Sequence, residues 1–202
     1  MKDPESSHEH HFEWSKRSLA FVIGLLIAIS ALIVLSTAPF AGLLGPSAYA
    51  LGSALHGMMA FFLLVVSAIA LYLAWRLFMG RIKAFPDLQL VTTVMATLTF
   101  LTIVFGNWIY IPYRAKTPDS PRSYFLEHMP EVHKVFFEFK EFTALFTLPL
   151  SIAATFILWR YGRQILERNW TRTSVAILIA LHFFYFVLAF GLDAAVTKLK
   201  SI

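Results

Sequence analysis

The chain has 202 residues, of which 58% are apolar, 16% are aromatic and only 14% are charged, and it contains no cysteine. Soluble domains carry about a quarter charged residues, so this composition excludes an ordinary globular enzyme in water and indicates an integral membrane protein. The lack of cysteine excludes disulfides, thiolate metal sites and the covalent attachment of a c-type haem. The net charge of +5 comes from cations that flank apolar runs, so no nucleic-acid binding is expected.

The chain divides into a short polar tail and a long membrane domain. Residues 1–17 are polar, and we expect them to be a disordered cytoplasmic tail rather than a metal site, despite its cluster of His8, His10 and His11. An apolar run of about twenty residues follows the tail, which is long enough to stay in a bilayer instead of being cleaved as a secretory signal. Residues 18–202 therefore form the membrane domain.

Five segments of this domain are apolar enough to cross a bilayer as helices, which takes roughly 20 residues each. Helix breakers separate them, notably Gly45 and Pro46 after the first segment, Pro86 before the third and Pro112 after it. The predicted fold is an all-α bundle of five transmembrane helices. The predicted spans are residues 18–38, 47–77, 88–111, 141–160 and 174–195.

The longest loop joins the third and fourth spans, and its second half has the periodicity of an amphipathic helix. We expect this helix to begin near Pro130 and to lie on the outer surface before the fourth span. Its charged side is expected to face solvent. The apolar stripe consists of Val132, Val135, Phe136, Phe139 and Phe142, and the charged side consists of Glu131, Lys134, Glu138 and Glu141.

The distribution of cations predicts the orientation. Arginine and lysine are concentrated in the tail, in the second loop and in the fourth loop, whereas residues 39–50 contain neither. The positive-inside rule then places the N-terminus in the cytoplasm of a bacterial-type cell and the C-terminus outside its plasma membrane. The third loop, with Arg114, Lys116 and Arg122, weakens this prediction without reversing it.

His56 and His182 are the only ionisable residues that lie within the predicted spans away from their ends. Ionisable groups at membrane depth are functional candidates, and two neutral imidazoles from different helices can hold a haem iron from both sides. Small residues on the His56 face, Gly52 and Ala60, leave room for a flat macrocycle, and Tyr185 shares a face with His182. The pattern predicts a b-type haem, one or two in number, with the two histidines as iron ligands.

The different depths predicted for His56 and His182 leave other pairs of haem ligands open. The midpoints of the predicted spans put His56 and His182 at depths that differ by roughly 12 Å, which is large for two ligands of one iron. His56 could instead pair with His128 or with His133, which is the next candidate ligand, or two haems could share histidines with a partner protein. A lone membrane histidine also commonly hydrogen-bonds a neighbouring helix, and His133 could be a plain surface residue.

Two short stretches carry a resemblance to a known family. Residues 55–62 (LHGMMAFF) resemble the His-Gly helix that supplies a low-spin haem ligand in haem-copper oxidases, and His182-Phe183-Phe184 resembles the setting of the opposite ligand. The chain lacks the further histidines that a copper site and a second haem would need, so a complete oxidase is excluded. The resemblance implies a membrane-embedded b-type cytochrome subunit.

The sequence thus predicts an electron-transfer subunit rather than a self-contained enzyme. It would pass electrons between the quinone pool and a redox partner on the outer face, in contact with membrane lipid and with other subunits of a respiratory complex. The polar and aromatic residues of 106–110 could seat a quinone head group. The alternatives are a cofactor-free anchor or assembly subunit and, third, a small transporter subunit, which would need more polar residues in the inner halves of the spans.

Overall fold

The computed structural model describes residues 48–115, 117–118 and 120–199, so the polar tail and the predicted first span lie outside the described residues. The described part is 91% helix and contains no strand, which confirms the all-α class. Four of its helices are long and apolar enough to cross a membrane, namely Ala50–Phe78, Phe85–Tyr113, Val132–Glu167 and Asn169–Val196. The predicted span over residues 18–38 stays a prediction.

Four long helices and one short helix make up the described chain. They are α1 (Ala48–Phe78), α2 (Phe85–Tyr113), α3 (Pro121–His128), α4 (Glu138–Tyr161) and α5 (Asn169–Leu199). A π-helix, Val132–Phe137, leads into α4, and a 3₁₀ helix, Gly162–Glu167, follows α4. The predicted spans over α1, α2, α4 and α5 match these helices to within a few residues at each end.

Glycine and proline set the helix ends. The turn after α1 contains Gly80 at φ +66°, and α4 stops at Gly162, at φ +51°, where L residues with side chains are strained. Pro86 lies in the first turn of α2, where the missing backbone N–H would have had no helical partner.

The four long helices pack as an antiparallel bundle in which α1 contacts α2 and α5, and α4 contacts the same two helices. Side chains such as Leu63, Ala70, Leu98, Ala154 and Ile179 fill its core and are at most 1% exposed. Many large apolar side chains point outwards instead, which suits helices surrounded by lipid. We call the end formed by residues 48–56, 106–115, 120–141 and 190–199 the cavity end, and the opposite end, residues 75–89 and 158–172, the arginine end.

The segment before α4 runs into that helix as the sequence predicts, but its apolar side is not buried. The π-helix continues directly into α4, and its buried residues are His133 and Phe137. The predicted apolar stripe is largely exposed, at Val135, Phe136, Phe139 and Phe142. The apolar side chains face outwards, as suits a helix beside lipid. Of the predicted charged side, Glu131, Lys134 and Glu138 are exposed as expected, whereas Glu141 borders the cavity. The expectation that Glu141 belongs to a solvated face was therefore wrong.

Candidate functional site

A cavity of about 340 Å³ lies between the four long helices at the cavity end. Cavities of roughly 300–1,000 Å³ with mostly apolar walls and a few polar groups are typical of small-molecule sites. The apolar wall includes Ala60 and Leu63 of α1 and Phe186 and Phe190 of α5. The polar lining consists of Ser53, His56, Thr99, Thr102, Asn107, Tyr110, Tyr113, Lys140, Glu141, Thr147 and Asp193.

The His56 side chain crosses from α1 to α2 and borders this cavity. Its Nδ1 atom lies 3.0 Å from the carbonyl oxygen of Thr102. A carbonyl can only accept, so Nδ1 carries the proton and donates it, and Nε2 is left with a lone pair. Nε2 has no hydrogen-bond partner among the described residues. Gly106 makes room for the ring, because a Cβ atom there would lie 2.9 Å from His56 Cε1.

His182 on α5 is completely buried. It contacts α2 at Thr99, about one helical turn from the Thr102 carbonyl that His56 contacts. Its Nε2 atom lies 3.0 Å from Thr99 Oγ1, which itself lies 2.7 Å from the carbonyl oxygen of Met95. The single hydroxyl proton of Thr99 goes to that carbonyl, so His182 must donate from Nε2. Its Nδ1 is buried and has no partner within the described part of the chain.

The two histidines lie at more similar depths than the sequence indicates. They contact α2 at Thr102 and at Thr99, three positions apart, which is a rise of about 4.5 Å along the helix. The expected offset of roughly 12 Å was therefore wrong, because it was counted from the midpoints of the spans and α1 and α5 are not aligned at their midpoints in the bundle.

A shared haem needs more than similar depth, since both imidazoles must present bare nitrogens to one space. Of these two histidines, His56 borders the cavity and His182 does not. His182 packs behind Thr99 and Phe186, which do line the cavity. As placed, the two residues do not fit a haem held between them, and their role as iron ligands stays a prediction. No group of three or more potential metal ligands occurs in the described part of the chain.

Three ionisable residues that the sequence analysis did not select also border the cavity. Lys140 Nζ lies 2.7 Å from Asp193 Oδ1, and both groups are within electrostatic range of His56. Glu141 is partly buried, and Tyr110 is one of its neighbours in the lining. These residues lie near the ends of predicted spans, where charges are usually solvated. The signal that could have found them is that Lys140 and Glu141 interrupt a phenylalanine-rich approach to the fourth span.

The other predicted site residues divide between the cavity and the surrounding packing. Ala60 lines the cavity. Gly52 does not, and instead allows α1 and α2 to approach, because a Cβ atom there would lie 2.8 Å from Ile109 Cγ2. Tyr185 also lies outside the lining, and its ring packs 5.9 Å from that of Phe146.

The two loop histidines do not reach His56. His133 is buried and its Nδ1 atom is hydrogen-bonded to the Tyr113 hydroxyl at 3.0 Å, so it is not a surface residue. His128 is exposed and donates from Nδ1 to the Tyr124 carbonyl. Neither residue belongs to the cavity lining.

Three stacked aromatic rings form part of the cavity wall. The rings of Tyr110, Phe137 and Tyr113 stack with centroids 4.4–5.5 Å apart. Two cations lie over this stack, with Arg114 4.7 Å from the Tyr110 ring and Lys140 4.2 Å from the Phe137 ring. Such contacts hold a ring in place at low cost in conformational freedom.

The described helices define a multi-pass helical membrane protein with a polar-lined cavity at one end of the bundle. No protein-family model, curated protein or solved structure matches this chain.

Proposed function

We propose that this protein is an electron-transfer subunit of a respiratory membrane complex that binds a quinol in the cavity. The observation that carries the proposal is the bare Nε2 of His56, presented to a mostly apolar cavity between membrane helices. A quinol has an apolar ring that suits such walls and hydroxyl groups that require acceptors. Residues 106–110, which the sequence suggests as a quinone seat, supply Gly106, Asn107, Ile109 and Tyr110 to the lining.

The side chains around His56 suit proton transfer from a quinol. Oxidation of one quinol to the quinone releases two electrons and two protons. His56 Nε2 can accept one proton from a quinol hydroxyl, and the nearby Asp193 carboxylate stabilises the resulting cation. The Glu141 carboxylate beside Tyr110 can accept the second. The two electrons pass singly to a metal centre of a partner redox protein.

In this proposal the cavity end faces the outside of a bacterial-type plasma membrane. The N-terminus is then cytoplasmic and the C-terminus is outside, as the distribution of arginine and lysine predicts. Protons from the quinol are released on the outer side, where the redox partner docks.

Binding of a short-chain quinone analogue by the full-length protein in lipid nanodiscs tests the proposal. His56→Asn should weaken binding about tenfold, the value of one lost hydrogen bond in an apolar site. His128→Asn is the matched control, because His128 is exposed and outside the cavity. The proposal fails if the unmodified protein does not bind the analogue, or if both variants bind it equally well.

A b-type cytochrome is the second candidate function. One observation favours it, namely that the buried Nδ1 of His182 has no hydrogen-bond partner among the described residues. Purified protein would then show a reduced-minus-oxidised haem spectrum, and replacing either histidine with alanine would abolish the α band. A stable, colourless preparation would reject this candidate. If neither haem nor quinone binds, an anchor or assembly role becomes the best interpretation, ahead of transport.

A further inference from the structure

The arginine end brings two separate loops together. The turn after α1 lies against the first turns of α5, since a Cβ atom on Gly80 would be only 2.6 Å from Arg172 Nη1. On the other side of the bundle, Gln89 Nε2 donates to the Leu158 carbonyl at 3.0 Å, which fixes the start of α2 beside the end of α4. Cations from both loops therefore share one surface.

This surface is strongly basic. Its acidic residues are only Asp87 and Glu167, and within the described part of the chain none of its cations forms a salt bridge. The cavity end is different, because its described residues carry equal numbers of cations and carboxylates. The cations are Arg114, Arg122, Lys134, Lys140 and Lys198, and the carboxylates are those of Glu127, Glu131, Glu138, Glu141 and Asp193. The cations of the arginine end are Arg76, Arg81, Lys83, Arg160, Arg163, Arg168 and Arg172.

Exposed tryptophans mark the level of the membrane interface at the same end. Trp75 is 58% exposed, Trp159 is 47% exposed and Trp170 is 87% exposed. Tryptophan prefers the depth of the lipid head groups, because its ring is largely apolar but carries one polar N–H group. Arg160 follows Trp159, and Arg168 lies two residues before Trp170, so we expect both arginines near the level of the lipid head groups.

We propose that the arginine end is a binding surface for anionic phospholipid head groups. A guanidinium group can bind two phosphate oxygens at once. The described residues offer these cations no carboxylate partner, which leaves their charge available to lipids. The tryptophans favour a lipid over a soluble acidic partner, because they hold the cations in the membrane interface. This inference is independent of the proposed quinol site.

Lipid retention by the purified full-length protein provides the test. Native mass spectrometry after extraction from nanodiscs made of equal parts phosphatidylcholine and phosphatidylglycerol would count the lipids of each kind that stay bound. We expect phosphatidylglycerol to be retained preferentially. In Arg163→Gln/Arg168→Gln the preference should fall by about fivefold for each cation removed. Both residues are exposed and their side chains make no hydrogen bond within the described chain, so the variant should fold.

Lys134→Gln is the matched control, since it removes an exposed cation from the cavity end. Equal retention of the two lipids by the unmodified protein would overturn the proposal, and so would an equal loss of preference in the control. Binding of a soluble polyglutamate peptide in place of phosphatidylglycerol would show that the surface recognises an acidic protein instead. If the double variant does not fold, Arg163→Gln and Lys83→Gln, tested singly, give the same comparison.

Discussion

The ammonium group of Lys140 lies 2.7 Å from the carboxylate of Asp193, joining α4 to α5 at the edge of the cavity. Ionisable groups in contact with lipid are costly, but a pair that faces a polar cavity is tolerated. The Lys140 side chain is 15% exposed and that of Asp193 is 39% exposed. The pair thus keeps a carboxylate near His56 without leaving an uncompensated charge in the bundle.

Removing one member of this pair should destabilise the protein. Lys140→Met leaves the Asp193 carboxylate without its cation, and we expect a loss of about 1–2 kcal/mol in the free energy of unfolding, less than for a fully buried pair because Asp193 is partly exposed. Asp193→Asn should cost a similar amount. Unfolding by SDS in mixed micelles measures both, and the Lys140→Met/Asp193→Asn double variant completes the cycle. Strictly additive losses would contradict a direct interaction.

Two glycines should respond oppositely to the same substitution. Gly106→Ala places a methyl group 2.9 Å from the His56 ring, so we expect it to cost about 1–3 kcal/mol and to weaken binding of the quinone analogue. Gly57→Ala meets nothing within 4 Å on an exposed helix face and should be neutral or stabilise by up to about 1 kcal/mol. The same unfolding assay checks both. An unchanged Gly106→Ala variant would show that the His56 ring is not held against α2.

Hydropathy predicted the four described spans well, because each apolar run is long and ends at glycine, proline or charge. It could not predict which side of a helix faces the bundle. In water an apolar stripe such as Phe136, Phe139 and Phe142 would pack inwards, whereas beside lipid it faces outwards and Glu141 faces the cavity. The spacing of the apolar residues is the same in both cases. Which side of α4 faces the bundle therefore depends on how α4 packs against its neighbours.

The candidate site was predicted in part. His56, Ala60 and four of the residues 106–110 were selected from the sequence and border the cavity, whereas Trp108 is exposed. Lys140 and Asp193 were not, because their pairing joins positions 53 residues apart. Distances of that kind depend on how α4 and α5 pack, which no local pattern contains.

The Tyr113–His133 hydrogen bond should contribute to the stability of the protein without a bound ligand. Tyr113→Phe removes the hydroxyl that bonds His133 at 3.0 Å but keeps the stacked ring, so a loss of about 1 kcal/mol is expected. Tyr161→Phe, at an exposed ring on the arginine end, is the control and should change nothing. Equal melting temperatures for the two variants would show that the buried hydrogen bond is not formed in the membrane.

The absence of cysteine makes the proposed orientation directly testable. Lys134→Cys lies at the cavity end and Arg163→Cys at the arginine end, and each introduced thiol would be the only one in the chain. In intact bacterial cells without an outer membrane, a membrane-impermeant maleimide should label Lys134→Cys at once and Arg163→Cys only after lysis. The reverse pattern would invert the orientation and place the cavity at the cytoplasmic side.

His56 and His182 should occupy opposite neutral tautomers. The Thr102 carbonyl requires a proton on Nδ1 of His56, while the Thr99 hydroxyl, already donating to Met95, requires one on Nε2 of His182. Nitrogen-15 spectra of histidine-labelled protein distinguish the two forms. Thr99→Val leaves the His182 donor without a partner and should cost about 1–3 kcal/mol, whereas Thr99→Ser keeps the hydroxyl and should cost less. Identical tautomers for both rings would contradict these hydrogen bonds and, with them, the bare Nε2 of His56 that faces the cavity.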